Sequence, residues 1–128
     1  MYKILAIDDE SAITSILDKF LNKSGYQVIV ANSGEQAIKI IFEQDDINLI
    51  ILDIKMPGFS GVDVLNVLKK NNNKIPVIIL SGSIGIQENV ELLNDLGYDE
   101  HKVLYKPIDL NELLIRIKHV LKEDQTPP

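Results

Sequence analysis

Leu49-Ile50-Ile51-Leu52-Asp53-Ile54-Lys55-Met56-Pro57-Gly58-Phe59-Ser60-Gly61 is the stretch from which the rest of the chain can be read. Its first four residues are an unbroken aliphatic run, short for a helix and suited to a strand buried on both faces. The run ends on a carboxylate, and a turn containing Pro57, Gly58 and Gly61 follows. Beyond that turn, Val62–Lys70 carries Val64, Leu65, Val67 and Leu68 at helical spacing. The stretch therefore predicts one strand-to-helix unit with an acidic residue at the strand's carboxyl end.

The same unit recurs on either side. Lys3–Ile7, Gln27–Ala31, Val77–Leu80 and Val103–Tyr105 also read as strands. Ser11–Asn22 carries Ile13, Ile16, Leu17, Phe20 and Leu21 on one helical face, and Ser33–Phe42 carries Ala37, Ile38, Ile40 and Ile41. Ile86–Leu96 and Leu110–Leu121 repeat the pattern, through Val90, Leu93 and Leu96 and through Leu113, Leu114, Ile117 and Leu121. Ser11, Ser33 and Asn111 suit helix starts, while Gly25 and Gly97 suit the left-handed residue that ends a helix. Strict alternation of apolar strands with amphipathic helices predicts an α/β fold, a parallel sheet with helices on both faces and right-handed crossovers. A chain of 128 residues with 45% hydrophobic content fits one such domain.

In an open parallel sheet the ligand site lies beyond the carboxyl ends of the strands. There the sequence sets Asp8 and Asp9 after the first strand, Asp53 after the third, Ser81 after the fourth and Lys106 after the fifth. Any one of these alone is an ordinary strand-end turn residue. Together, three carboxylates on one edge repel each other unless a cation compensates. An all-oxygen ligand set without His or Cys suits Mg²⁺, which binds through a few carboxylates, waters and phosphate oxygens. A carboxylate in such a site can act as a nucleophile toward phosphorus, with a lysine and a metal stabilising the transferring group. Asp53 is the central candidate.

From Tyr2 to about Lys122 the chain resembles the receiver domain of bacterial response regulators. Ile4-Leu5-Ala6-Ile7-Asp8-Asp9-Glu10 looks like that family's first strand and acidic pair, and the Asp53-Ile54-Lys55-Met56-Pro57 segment with Gly61 looks like its acceptor loop. Pro76–Gly82 resembles its fourth strand and hydroxyl switch, and Lys106-Pro107 its Lys-Pro pair. The resemblance implies a doubly wound (βα)5 flavodoxin-like domain over residues 1–122, with strand order 2-1-3-4-5. It implies phosphorylation of Asp53, and Mg²⁺ held by Asp8, Asp9, Asp53 and the backbone carbonyl of Lys55. Ser81 and Lys106 are then the groups that contact the phosphoryl oxygens. Met56, Pro57, Gly61, Gly82 and Pro107 shape the site, Gly82 by allowing close approach and Pro107 through a cis peptide bond. The donor implied is a histidine kinase or phosphotransfer protein, and the receiver is a switch that catalyses only its own phosphorylation and dephosphorylation. A downstream protein or a linked output domain reads the changed conformation, and the face of the fourth and fifth helices with the last strand can serve a homodimer.

The sequence also departs from the family. Gly97–Lys106 is slightly longer than the common pattern, and Val103 stands three residues before Lys106 where many members carry Tyr or Phe; Tyr105 is displaced from that place. Two other functions compete with the switch. One is a phosphatase using the same aspartyl-phosphate chemistry on external esters, for which no cap domain or substrate pocket is evident. The other is a receiver-like interaction module that works without phosphorylation, against which the intact Asp8, Asp9, Asp53, Ser81 and Lys106 set argues.

Composition narrows the partners. A formal charge of −6 and a pI near 4.8 disfavour direct nucleic-acid binding. The absence of cysteine removes disulfides and thiolate metal sites, and a reducing cytoplasm is the default compartment. No apolar run approaches a membrane span, so a soluble, unanchored chain is expected. Neither glycine-rich turn, at Gly58–Gly61 or Ser81–Gly85, has the pattern of a nucleotide loop, and Lys69–Lys74 reads as a solvated turn. His101 and His119 fall outside the strand-end pattern. Residues 123–128 read as a flexible tail or the start of a linker.

Overall fold

The computed structural model describes residues 1–82, 94, 97 and 102–122 of the chain. In order along the chain it contains β1 (Lys3–Ile7), α1 (Ser11–Lys23), β2 (Gln27–Ala31), α2 (Gly34–Glu43), β3 (Leu49–Asp53), α3 (Gly61–Lys70), β4 (Val77–Ser81), β5 (Val103–Tyr105) and α4 (Leu110–Leu121). The helix expected over Ile86–Leu96, together with His101 and the tail from residue 123, lies outside the described residues apart from Asn94. All pairings in the sheet are parallel, and the strand order is β2-β1-β3-β4-β5, as the resemblance implies.

Alternation along the strands builds two cores. Leu5, Ile7, Ile50, Leu52, Ile79 and Val103 face α2 and α3, where they meet Ala37, Ile41, Val64, Leu65 and Leu68. Ile4, Ala6, Leu49, Ile51, Ile78, Leu80 and Leu104 face α1 and α4, against Leu17, Leu21, Leu113 and Ile117. Every residue of β3 and β4 is buried, which explains why these two strands read as continuous apolar runs rather than alternating ones. Each Leu or Ile sealed in this way stabilises the fold by roughly 1.5–3 kcal/mol. The sheet's centre is thus a rigid platform whose carboxyl edge carries the polar residues.

Helix starts correct the sequence reading in three places. Ser33 caps α2 as expected, its hydroxyl accepting from the Gln36 N–H at 3.1 Å. Asn111 does not cap α4; that position belongs to Asp109, whose carboxylate accepts from the N–H groups of Asn111 and Glu112 at 3.0 and 3.1 Å. Both residue types can cap, and the earlier one meets the unsatisfied donors of the first turn. Ser11 is the first helical residue of α1 rather than its cap, and the cap position is occupied by Glu10 without a side-chain capping bond. A reciprocal capping box between Ser60 and Asp63 starts α3 at Gly61, one residue earlier than the apolar pattern indicates. Gly25 and Gly97 take the left-handed conformation, with φ of 98° and 91°. Among the described residues, no helix is long and apolar enough to cross a membrane.

Candidate functional site

β3 sits between β1 and β4, so the ends of the two central strands deliver their terminal residues to one place. Asp53 is the last residue of β3, and Asp8 follows the last residue of β1. Asp8 is anchored by its own N–H, which donates to the Ala31 carbonyl, and its Oδ1 accepts from the Glu10 N–H at 2.9 Å. Asp53 Oδ1 accepts from the Lys55 N–H at 3.2 Å, so the turn after β3 folds back over the carboxylate. Carboxylate oxygens of Asp8, Asp9 and Asp53 lie within 4.8 Å of one another; Asp8 and Asp53 are buried and Asp9 is exposed.

Lys106 enters from the end of β5, held by its N–H donating to the Ser81 carbonyl at 2.8 Å, and its peptide bond to Pro107 is cis as the resemblance implies. Its Nζ is 2.8 Å from Asp8 Oδ2, 3.5 Å from Asp53 Oδ2 and 3.5 Å from Glu10 Oε1. The contact with Asp8 is the shortest of the three, and Asp8 Oδ2 is fully buried with no other polar partner among the described residues. Burial opposes the charge on Lys106, but Asp8, Asp53 and Glu10 more than compensate and raise its pKa. At Asp53 burial and the charge of Asp8 dominate over the attraction of Lys106 and push the carboxyl up to about 7. The cluster is therefore short of positive charge with Lys106 alone.

These observations fit a divalent cation. The donors are all hard oxygens, two are on buried carboxylates, and a single ammonium is shared among Asp8, Asp53 and Glu10. A second cation among these carboxylates relieves the repulsion that one ammonium leaves uncompensated.

Ser81 ends β4 and is buried, with its Oγ donating to the Gly82 carbonyl at 3.1 Å. By strand alternation it belongs to the α2/α3 face with Ile79, whereas Asp53 belongs to the α1/α4 face with Leu49 and Ile51. The two strands pair with Asp53 beside Leu80, so Ser81 sits one step beyond Asp53 on the opposite face. Met56 is buried in the α2/α3 core and Pro57 is exposed. Gly61 donates its N–H to the Ile54 carbonyl, and a Cβ there would fall 2.4 Å from the Asp53 carbonyl oxygen and 2.6 Å from Ile54 Cα. A Cβ at Gly82 would meet none of the described residues within 4 Å. Val103 is buried in the α2/α3 core, and Tyr105 pairs with Ser81 across the β4–β5 ladder while remaining half exposed. His119 lies in the last turn of α4.

Two contributors escaped the sequence reading. Glu10 reaches Lys106, although its type and place read only as the end of an acidic motif. Gly34, at the start of α2, receives Phe59 of the turn after β3 so closely that a Cβ would fall 2.3 Å from the Phe59 carbonyl oxygen. The helical pattern of α2 marked its start, but which loop it supports depends on tertiary packing.

Comparison with known proteins agrees with this geometry. A family model described as the response regulator receiver domain matches residues 4–118. The chain is 38% identical over 122 residues to the transcriptional regulatory protein CpxR of Escherichia coli strain K12, covering 95% of this chain and 50% of that protein. It is 34% identical to the response regulator MprA of Mycobacterium leprae, covering 94% of this chain and 51% of that protein. The chain thus spans about half the length of these curated relatives. Among solved structures, a response regulator receiver domain protein from Clostridium thermocellum superposes with a TM-score of 0.86 at 33% identity, over 98% of both chains. The response regulator TrrA from Thermotoga maritima, solved in complex with Mg²⁺-BeF, superposes with a TM-score of 0.79 at 31% identity, over 94% of this chain and 99% of that one. With the family matched across nearly all of its sheet and helices, this chain belongs to the response regulator receiver domains of two-component systems.

Proposed function

We propose that this receiver accepts a phosphoryl group on Asp53 in a Mg²⁺-dependent reaction and switches conformation to control a partner or a linked output domain. The observation that carries the reading is the convergence of Asp8, Asp9, Asp53 and Lys106 on one sheet edge, with three carboxylates around a single ammonium. The Asp53 carboxylate oxygen forms the new P–O bond as the donor's P–N bond to a phosphohistidine breaks. The electron pair of that bond leaves on the imidazole nitrogen, which takes its proton from solvent. Lys106, already 3.5 Å from Asp53, pairs with a phosphoryl oxygen. Asp8, Asp9, Asp53 and the Lys55 carbonyl would hold the Mg²⁺, which would supply positive charge beside the phosphoryl oxygens and the Asp53 carboxylate. Ser81 contacts the phosphoryl group after local movement at the end of β4, since its hydroxyl otherwise bonds to Gly82.

Residues 1–122 form the receiver, and residues 123–128 are a tail or the start of a linker. The donor is a histidine kinase or phosphotransfer protein in the cytoplasm, and the domain turns over no external substrate. Incubation with acetyl phosphate, with and without Mg²⁺, followed by intact mass and peptide mapping, tests the assignment. One base-labile phosphoryl adduct at Asp53 that requires Mg²⁺ and is lost in Asp53→Asn is expected. No adduct from either acetyl phosphate or a phosphohistidine donor overturns it in favour of an interaction module that works without phosphorylation.

A further inference from the structure

Glu10 occupies the N-cap position of α1, where Ser, Thr, Asp or Asn stabilises a helix and Glu does not. Its side chain makes no capping bond, and α1 has no acidic residue in its first turn. The carboxylate instead lies 3.5 Å from Lys106 Nζ, across 96 residues of sequence, while its backbone N–H steadies Asp8. The helix thus forgoes a cap while a carboxylate is placed on the one ammonium that reaches Asp53. Asp8 draws Lys106 inward and Glu10, which is mostly exposed, draws it toward solvent.

We propose that Glu10 is a positioning residue that competes with the phosphoryl group for Lys106 and so restrains phosphorylation of the domain. This rests on the acceptor role proposed for Asp53. In the resting domain the ammonium is shared among three carboxylates, and it reaches a phosphoryl oxygen on Asp53 by giving up part of that sharing. Neutralising Glu10 removes one competitor without touching the acceptor or the Asp8–Lys106 pair.

The test is a double-mutant cycle read by the rate of phosphorylation with acetyl phosphate at saturating Mg²⁺. Glu10→Gln is expected to accelerate the reaction about two- to fivefold at low ionic strength, the gain shrinking with added salt. In a Lys106→Ala background the same change should have no effect; an equal gain there means direct repulsion of the donor and overturns the proposal. An unchanged rate in Glu10→Gln alone overturns it as well. Glu10→Ser adds a control, because it supplies a cap: it should raise thermal stability and accelerate phosphorylation together, and added stability at an unaltered rate contradicts the proposal. Should Lys106→Ala react too slowly to read, the NMR signals of the Lys106 methylene beside the ammonium must shift between the parent and Glu10→Gln without phosphate, and unmoved signals overturn it. Absence of any adduct in the parent would instead sink the acceptor reading itself.

Discussion

The Lys106 ammonium lies closer to Asp8 than to Asp53, at 2.8 Å against 3.5 Å. Asp8 is fully buried and Lys106 mostly so, which makes their pairing the strongest electrostatic contact at the site and leaves Asp53 only partly compensated.

Removing Lys106 strands the Asp8 charge. Lys106→Ala should lower the stability of the metal-free domain by about 1–3 kcal/mol, below the full cost of breaking a buried pair because the lysine keeps some contact with solvent. Mg²⁺ should return part of the loss by supplying the missing charge. Urea unfolding with and without Mg²⁺ measures both, and a variant as stable as the parent in metal-free buffer contradicts the argument.

Asp53 produces the opposite effect. Its folded pKa of about 7 stands above the ordinary value of 3.8, so the folded state binds the proton more tightly than the unfolded chain does. Its contribution to stability is then fully present below about pH 4 and is lost as pH rises to about 7. Asp53→Asn should therefore stabilise the metal-free domain at pH 8 by about 1–2 kcal/mol, and by much less at pH 5. Denaturation at the two pH values checks the sign; a variant equally stabilised at both points to a cause other than ionisation.

Gly61 admits no side chain, because a Cβ would meet two main-chain atoms of Asp53 and Ile54 that have no rotamer to change. Gly61→Ala should cost about 2–3 kcal/mol as β3 and α3 are forced apart, and it should slow phosphorylation by displacing the acceptor. Thermal melting and the acetyl phosphate reaction read the two effects, and a variant normal in both removes the steric account.

Ser81→Ala loses a hydroxyl whose bond is local, to the adjacent Gly82 carbonyl. Its stability should stay within about 1 kcal/mol of the parent. Asp53 should still acquire phosphate, while the phosphate-dependent NMR shifts in β4 and β5 should diminish. Full-sized shifts in the variant would remove Ser81 from the coupling.

The strands were legible because burial on both sides leaves little room for polar residues: Leu49–Leu52 and Val77–Leu80 face two cores at once. Strand ends were legible to within one residue, Asp53 and Ser81 each extending the ladder past the last apolar position. The proximity of Asp8, Asp53 and Lys106 followed from parallel topology, which brings every strand's carboxyl end to one edge. Contacts set by side-chain reach did not follow. Glu10 and Lys106 meet through two long flexible side chains, and Asp109 rather than Asn111 caps α4 because an apolar repeat does not fix the cap to within two residues. Tyr105, displaced from the usual aromatic position, proves to be the ladder neighbour of Ser81, a relationship set by the register of β4 on β5.

Strand alternation turns Asp53 toward the α1/α4 layer and Ser81, one step further along the neighbouring strand, toward the α2/α3 layer. Gly61 of α3 nevertheless lies against the Asp53 main chain, and Lys106 leads into α4, so both layers of helices bear on the acceptor. On the acceptor role proposed above, a change in either layer of helices is then expected to alter the rate of the reaction at Asp53.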